Sequence, residues 1–136
     1  MHRNNFTYNL FIVHYSKKTV LIVDDSNLVV ERLTEMLKEL KNVDNIYSAG
    51  NFTDAINILQ NTPPDILLLD INLPDTSGIE LLRVVKNKYP AIMVTMVSNQ
   101  SDRYYKELCR KLGADHFVDK SKNFDIIPDI ISASYL

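Results

Sequence analysis

The amino-acid sequence predicts an α/β domain: a doubly wound, five-stranded parallel sheet with helices on both faces. Two observations carry this. From residue 19 onward, short aliphatic or β-branched runs alternate with segments of helical period, and no hairpin signal joins any two runs. Three of the runs, Val20–Val23, Ile66–Leu69 and Ile92–Val97, are continuously apolar rather than alternating, as strands covered on both faces must be.

The expected strands are Thr19–Asp24, Asn45–Ala49, Asp65–Asp70, Ala91–Ser98 and Asp115–Asp119, bounded by Pro, Gly, Asn or Asp. The first helical segment carries Val29, Leu33, Met36, Leu37 and Leu40 along one face of a 3.6-residue turn. The second carries Phe52, Ala55, Ile56 and Leu59, with Thr53 or Asn51 as its N-cap. The third runs from about Ser77 to Lys88, with Ile79, Leu82 and Val85 on one side. The fourth carries Tyr105, Leu108, Cys109 and Leu112, and Gly113 stands where a C-terminal stop belongs. The last is expected from about Asp125 to Ala133, where Pro128 is tolerable only in the first turn.

Residues 1–17 read as an N-terminal extension, unstructured or an added edge strand, and 18–136 as one domain. Within the extension, Phe6–Tyr15 is apolar enough to raise a secretion signal, but polar residues interrupt it and no small-residue cleavage site precedes Lys17-Lys18. A composition of 46% apolar and 24% charged residues is that of an ordinary globular protein, and no apolar run approaches the ~20 residues that span a bilayer. A net charge of −2 with no basic stripe argues against direct nucleic-acid binding. The single cysteine, Cys109, excludes an internal disulfide framework, suits a reducing cytoplasm, and reads as a small core residue. His2, His14 and His116 have no metal-ligand spacing with it, and His116 reads as a solvated strand residue. Tyr104 and Tyr105 are adjacent on a helix, so one of them is expected to be exposed.

Chemistry gathers at the strand ends. Asp24 and Asp25 close the first strand, Asp70 the third and Ser98 the fourth, and Lys120 follows the fifth. Sheets of this kind hold their ligands outside the carboxyl ends of the strands, where strand order reverses. Converging carboxylates raise one another's pKa unless a cation neutralises them, and an oxygen-only set favours a hard ion, with Mg²⁺ the usual choice. A metal, an ammonium and a hydroxyl around one carboxylate suit phosphoryl transfer, with that carboxylate as nucleophile. Taken singly, each residue has a plainer reading. Asp24 is a helix-cap or turn acid, Lys120 a surface charge, Ser98 a strand-end serine and Phe117 a packed core residue.

The order Asp24-Asp25, Asp70, Ser98, Lys120, with Leu73-Pro74-Asp75-Thr76-Ser77-Gly78 following Asp70, resembles the receiver domain of two-component response regulators over about residues 18–135. The resemblance implies a flavodoxin-like sheet of order 2-1-3-4-5 and a phosphorylation-dependent signalling switch. Asp70 would be the phosphoacceptor, and Asp24, Asp25 and the backbone carbonyl of Asn72 would join it in holding Mg²⁺. Ser98 and Lys120 would contact the phosphoryl oxygens, and Ser98 and Phe117 would be the switch residues. The phosphoryl group would come from a sensor histidine kinase or histidine phosphotransfer protein, and the domain would catalyse nothing beyond its own phosphorylation and dephosphorylation. With no DNA-binding or enzymatic segment in the sequence, the output is expected to be a protein contact at the fourth helix, fifth strand and fifth helix, made by a monomer or weak dimer.

Two positions depart from the family's pattern. The lysine is usually followed by proline through a cis peptide, but Ser121 stands here; a non-proline cis bond costs ~2.5–4 kcal/mol, so the isomer is left open. Asn99 replaces the usual small residue after the switch hydroxyl, and Asn72, Asn99 and Gln100 are the expected modulators of phospho-form lifetime. The alternative class is a receiver-like interaction module that is not phosphorylated; the intact acid set argues against it, Asn99 and Ser121 for it. A flavin carrier of the same fold would need a Gly/Ser/Thr-rich phosphate loop where Asp24-Asp25-Ser26 stands, and a phosphohydrolase with an aspartyl nucleophile would carry its two acids on one strand end.

Overall fold

A computed structural model describes residues 17–134. Residues 1–16, nearly all of the expected extension, lie outside the described residues, as do 135–136. The elements are β1 (Lys18–Val23), α1 (Asn27–Lys38), β2 (Val43–Ala49), α2 (Phe52–Asn61), β3 (Ile66–Leu69), α3 (Gly78–Lys88), β4 (Met93–Ser98), α4 (Arg103–Lys111), β5 (His116–Asp119) and, after a 3₁₀ turn at Phe124–Ile126, α5 (Ile127–Ser132). All strand pairings are parallel, and the order is β2-β1-β3-β4-β5, as expected.

The period-2 alternation of the strands sorts their side chains into two cores. Leu21, Val23, Leu67, Leu69, Val94 and Met96 pack against Ala55 and Leu59 of α2, Leu82 and Val85 of α3, and Cys109 of α4. Val20, Ile22, Ile66, Leu68, Val97 and Val118 pack on the other face against Leu33 and Leu37 of α1 and against Phe124, Ile127 and Ile131. β3 is buried throughout and β1 at every residue but half-buried Thr19, whereas edge strand β2 buries only Ala49. Cys109 is buried, as expected, and burial pushes its thiol pKa up.

Side chains start the helices. The oxygens of Ser26, Asn51, Ser77 and Asp102 accept N–H groups of Val29, Asp54, Ile79 and Tyr105 at the amino ends of α1 to α4. The cap of α2 is thus Asn51 and not Thr53. Gly113, at φ 103°, closes α4 in the left-handed conformation, where the N–H of Ala114 returns to the carbonyl of Cys109.

The boundaries differ from the expected ones by small, explicable amounts. β2 begins at Val43 rather than Asn45, because its polar start pairs with Lys18 and Thr19 through an irregular register. β4 begins at Met93, after Ile92 has been spent in the turn that follows Tyr89. The single helix expected over Asp125–Ala133 is a 3₁₀ turn followed by a short α5, with Pro128 in the first turn, where its missing N–H has no helical partner to lose. Tyr104 is the exposed member of its pair at 68%, Tyr105 is half-buried, and His116 is exposed.

Candidate functional site

The sheet order places the reversal of direction between β1 and β3, and Val23 pairs with Leu69 there. The residue after each strand is an aspartate, so Asp24 and Asp70 stand side by side at the carboxyl edge. Their backbones continue the ladders, Asp24 N–H to the carbonyl of Ala49 at 3.0 Å and Asp70 N–H to that of Val23 at 3.0 Å. Both residues are almost entirely buried, at 4% and 5% exposed, while neighbouring Asp25 is exposed. Asp24 also accepts the N–H of Ser26 at 2.9 Å, so part of its role is the turn chemistry expected of a lone acid, although Ser26 is the helix cap.

Lys120 reaches this pair from the far side of β4. Its Nζ lies 2.6 Å from Asp24 Oδ2 and 3.0 Å from Asp70 Oδ2. Two inter-strand spacings, roughly 10 Å, separate β5 from β3, a distance that suits an extended lysine. Burial raises the pKa of Asp24, against the opposing pull of the Lys120 ammonium. Burial alone would lower the pKa of Lys120, but its contacts with Asp24 and Asp70 outweigh that and hold it above its ordinary value.

Ser98 ends β4, fully buried; its hydroxyl accepts the N–H of Gln100 at 3.1 Å and its carbonyl the N–H of Lys120 at 3.2 Å. Asn72 and Asn99 are exposed, and Gln100 is half-buried. Phe117 is half-buried against the apolar cluster on the α2–α3–α4 face. None of the described peptide bonds is cis, so Lys120–Ser121 is trans. The loop holds its lysine at the pocket without the proline device.

One oxygen each from Asp24, Asp25 and Asp70 can be chosen so that all lie within 4.8 Å of one another. Three carboxylate oxygens, with no imidazole or thiolate, fit a hard divalent cation.

Three features of the site were not read from the sequence. Gly78 opens α3 so close to the backbone of Asp70 that a Cβ there would lie 1.9 Å from its carbonyl oxygen. Asp75, in the β3–α3 loop, accepts the N–H groups of Phe52 and Thr53 at 2.9 and 3.1 Å and so anchors that loop to the start of α2. Asp119 ends β5 with its carboxylate buried among donors from two loops. An acid directly before Lys120-Ser121 was the available signal for this last, since Asp commonly bonds the backbone two residues on.

The comparisons with known proteins agree with this geometry. The model of the response regulator receiver domain matches residues 20–132. A protein-glutamate methylesterase/protein-glutamine glutaminase of Clostridium acetobutylicum is 36% identical over 114 residues, which is 81% of this chain and 33% of that protein. The chain therefore spans about a third of that relative's length. Among solved structures, the BeF₃-activated receiver domain of DrrB from Thermotoga maritima is 26% identical with a TM-score of 0.73, covering 86% of this chain and 92% of that one. The Mn²⁺-bound form of response regulator Rcp1 is 25% identical with a TM-score of 0.72, covering 85% and 90%. The chain belongs to the response regulator receiver domain family, the phosphorylation-type switches of two-component signalling. Among the described residues no helix is long and apolar enough to cross a membrane.

Proposed function

We propose that Asp70 accepts a phosphoryl group from a phosphohistidine of a sensor kinase or phosphotransfer protein, and that the phosphorylated chain signals through a protein contact. The observation that carries this reading is the Lys120 ammonium held between Asp24 and Asp70 at the strand reversal. A carboxylate oxygen of Asp70 attacks phosphorus, the phosphorus–nitrogen bond of the donor breaks, and the departing imidazole nitrogen takes a proton from solvent. Asp70 becomes an acyl phosphate. Asp24, Asp25, Asp70 and the carbonyl of Asn72 would hold Mg²⁺, which when bound supplies positive charge to the phosphoryl oxygens.

This chain's own residues do the positioning. Lys120 offers a fixed ammonium to an oxygen of the incoming group, and Ser98, whose hydroxyl now accepts from Gln100, turns its proton toward another. The added charge, about −1.5 to −2, and three acceptor oxygens give Ser98 and Phe117 something new to respond to. The output surface is proposed at α4, β5 and α5. Both the Rcp1 likeness and the donor set support the metal reading, and the methylesterase activity of the Clostridium relative is not assigned to this chain.

Incubation with Mg²⁺ and acetyl phosphate tests the reading. Intact mass spectrometry should show one phosphoryl mass on the wild type and none on Asp70→Asn; no gain in the wild type, or an equal gain in the variant, would sink it. The lifetime of the product is proposed to depend on the residues at the mouth. Asn99→Ala and Gln100→Ala should each change the dephosphorylation rate by a few-fold, roughly the effect of one repositioned polar group. Rates unchanged in both would place the control elsewhere.

A further inference from the structure

Asp119 takes no part in the acid pocket, yet the residue is only 6% exposed and its carboxylate is engaged on both oxygens. Oδ1 accepts the N–H of Ser121 at 2.8 Å, the hydroxyl of Ser121 at 2.7 Å and the N–H of Lys122 at 3.1 Å. Oδ2 accepts the hydroxyl of Ser101. Ser101 lies in the β4–α4 loop three residues beyond Ser98, and Ser121 and Lys122 lie in the β5–α5 loop directly beyond Lys120. One carboxylate thus joins the loop that follows the hydroxyl of the site to the loop that carries its ammonium. A backbone bond, Lys120 N–H to the carbonyl of Ser98, runs beside it.

Beyond that carboxylate, the β5–α5 loop is held by a turn in which the N–H groups of Lys122 and Asn123 return to the backbone carbonyl of Asp119, at 3.3 and 2.9 Å, and which ties it to nothing in the β4–α4 loop. Ser121, Lys122 and Asn123 are all exposed, and core packing resumes only at Phe124. With a trans Lys120–Ser121 bond and no proline, the backbone there gains its order from hydrogen bonds. A lysine that must stretch across β4 to sit between two carboxylates multiplies any error at its Cα, because a long side chain has many rotamers to lose. The hydroxyls of Ser101 and Ser121 hold the Asp119 carboxyl well below the usual carboxylate range, so the anchor is charged at any ordinary pH.

We infer that Asp119 is a positioning residue for phosphoryl transfer: its carboxylate clasps the β5–α5 loop to the β4–α4 loop and so sets Lys120 and Ser98 relative to Asp70. The inference rests on the reading of Asp70 as phosphoacceptor. Asp119 touches neither donor nor metal ligands; it acts through its neighbours.

The test uses the full chain, Mg²⁺ and acetyl phosphate. In that reaction the phosphorus–oxygen bond to the acetyl group breaks, acetate leaves, and the bond from Asp70 oxygen to phosphorus forms. The rate is measured against donor concentration, and Mg²⁺ affinity is measured separately by calorimetry. Asp119→Ala should lower the maximal rate by about tenfold or more, as loss of orientation does. Half-saturating donor and Mg²⁺ affinity should stay within about twofold, since the acids of β1 and β3 are set by other contacts. Asp119→Asn keeps an acceptor for Ser121 and Lys122 and should recover most of the rate. Ser101→Ala, which cuts only the link between the loops, should fall between.

Variants that phosphorylate at the wild-type rate overturn the inference, and so does Mg²⁺ affinity that falls in step with the rate. Where Asp119→Ala does not fold, Ser101→Ala decides alone, and an unchanged rate there overturns it. A wild type that takes no phosphoryl group fails the reading of Asp70 and takes the clasp with it. A wild type that does, beside variants that match it, fails the clasp only.

Discussion

Gly78→Ala should lower the unfolding free energy by roughly 3–4 kcal/mol, beyond the usual cost of overpacking because the obstacle is backbone. The new methyl would lie 1.9 Å from the carbonyl oxygen of Asp70, 2.8 Å from its carbonyl carbon and 3.0 Å from the Cα of Ile71. None of these atoms can rotate away. Relief requires α3 to withdraw from the strand end, which also loosens the 2.7 Å bond from Gly78 N–H to the carbonyl of Ile71. Against a typical domain stability of about 5–15 kcal/mol the loss is large, and denaturant titration should show it as a lower midpoint at unchanged slope. The other glycines are built-in controls. A methyl at Gly50 meets only the Cα of Asp25 at 3.9 Å and should be nearly silent. Gly113 has room limited by the Lys86 stem at 3.1 Å and a φ of +103°, so Ala there should cost about 1 kcal/mol through backbone strain. Equal costs at all three positions would refute the close-approach explanation.

What was legible in the sequence were the features written in local pattern. Val20–Val23 and Ile66–Leu69 declared doubly covered strands by being apolar without interruption, and the acids that stop them declared the edge where chemistry collects. Lys120 was legible for the same reason, as a charge just past a strand. What stayed hidden depends on contacts between segments distant in sequence. The start of α2 is completed by Asp75, more than twenty residues downstream, whose carboxyl is held below its usual pKa by the N–H of Phe52 and then that of Thr53. No local reading of Asn51-Phe52-Thr53 could supply that partner. Asp119 enters the sequence reading only as the end of an expected strand, and only the folding of Ser101 against it makes it a junction. The need for glycine at 78 likewise arises because α3 begins against Asp70, a matter of packing and not of turn chemistry.

Lys120→Met should cost about 3 kcal/mol at neutral pH, the scale of breaking a buried ion pair by removing one partner. The lysine side chain is 13% exposed and those of Asp24 and Asp70 are 3% and 6%, so little water remains to take over its charge. The pH dependence separates charge from packing. Burial already raises the pKa of Asp24 in the wild type, and the Lys120 ammonium is what opposes the rise. A carboxyl whose folded pKa exceeds its unfolded one favours folding fully while protonated, below about pH 4, and that contribution is lost as pH climbs through the folded value. With the ammonium gone the folded pKa climbs further. The deficit of the variant relative to wild type should therefore be small in acid and widen toward neutrality. The wild type keeps its lysine contribution far longer, because Lys120 is itself raised above its ordinary value and loses its proton only in strong alkali. Mg²⁺ should raise the melting temperature of the variant more than that of the wild type, since a divalent cation among Asp24, Asp25 and Asp70 replaces the missing charge. Phosphoryl uptake should nonetheless fall by about a hundredfold, as loss of one preorganised charge at the reacting group does. A deficit that is the same at every pH and indifferent to Mg²⁺ would mean that the lysine stem, and not its charge, holds the strand ends together.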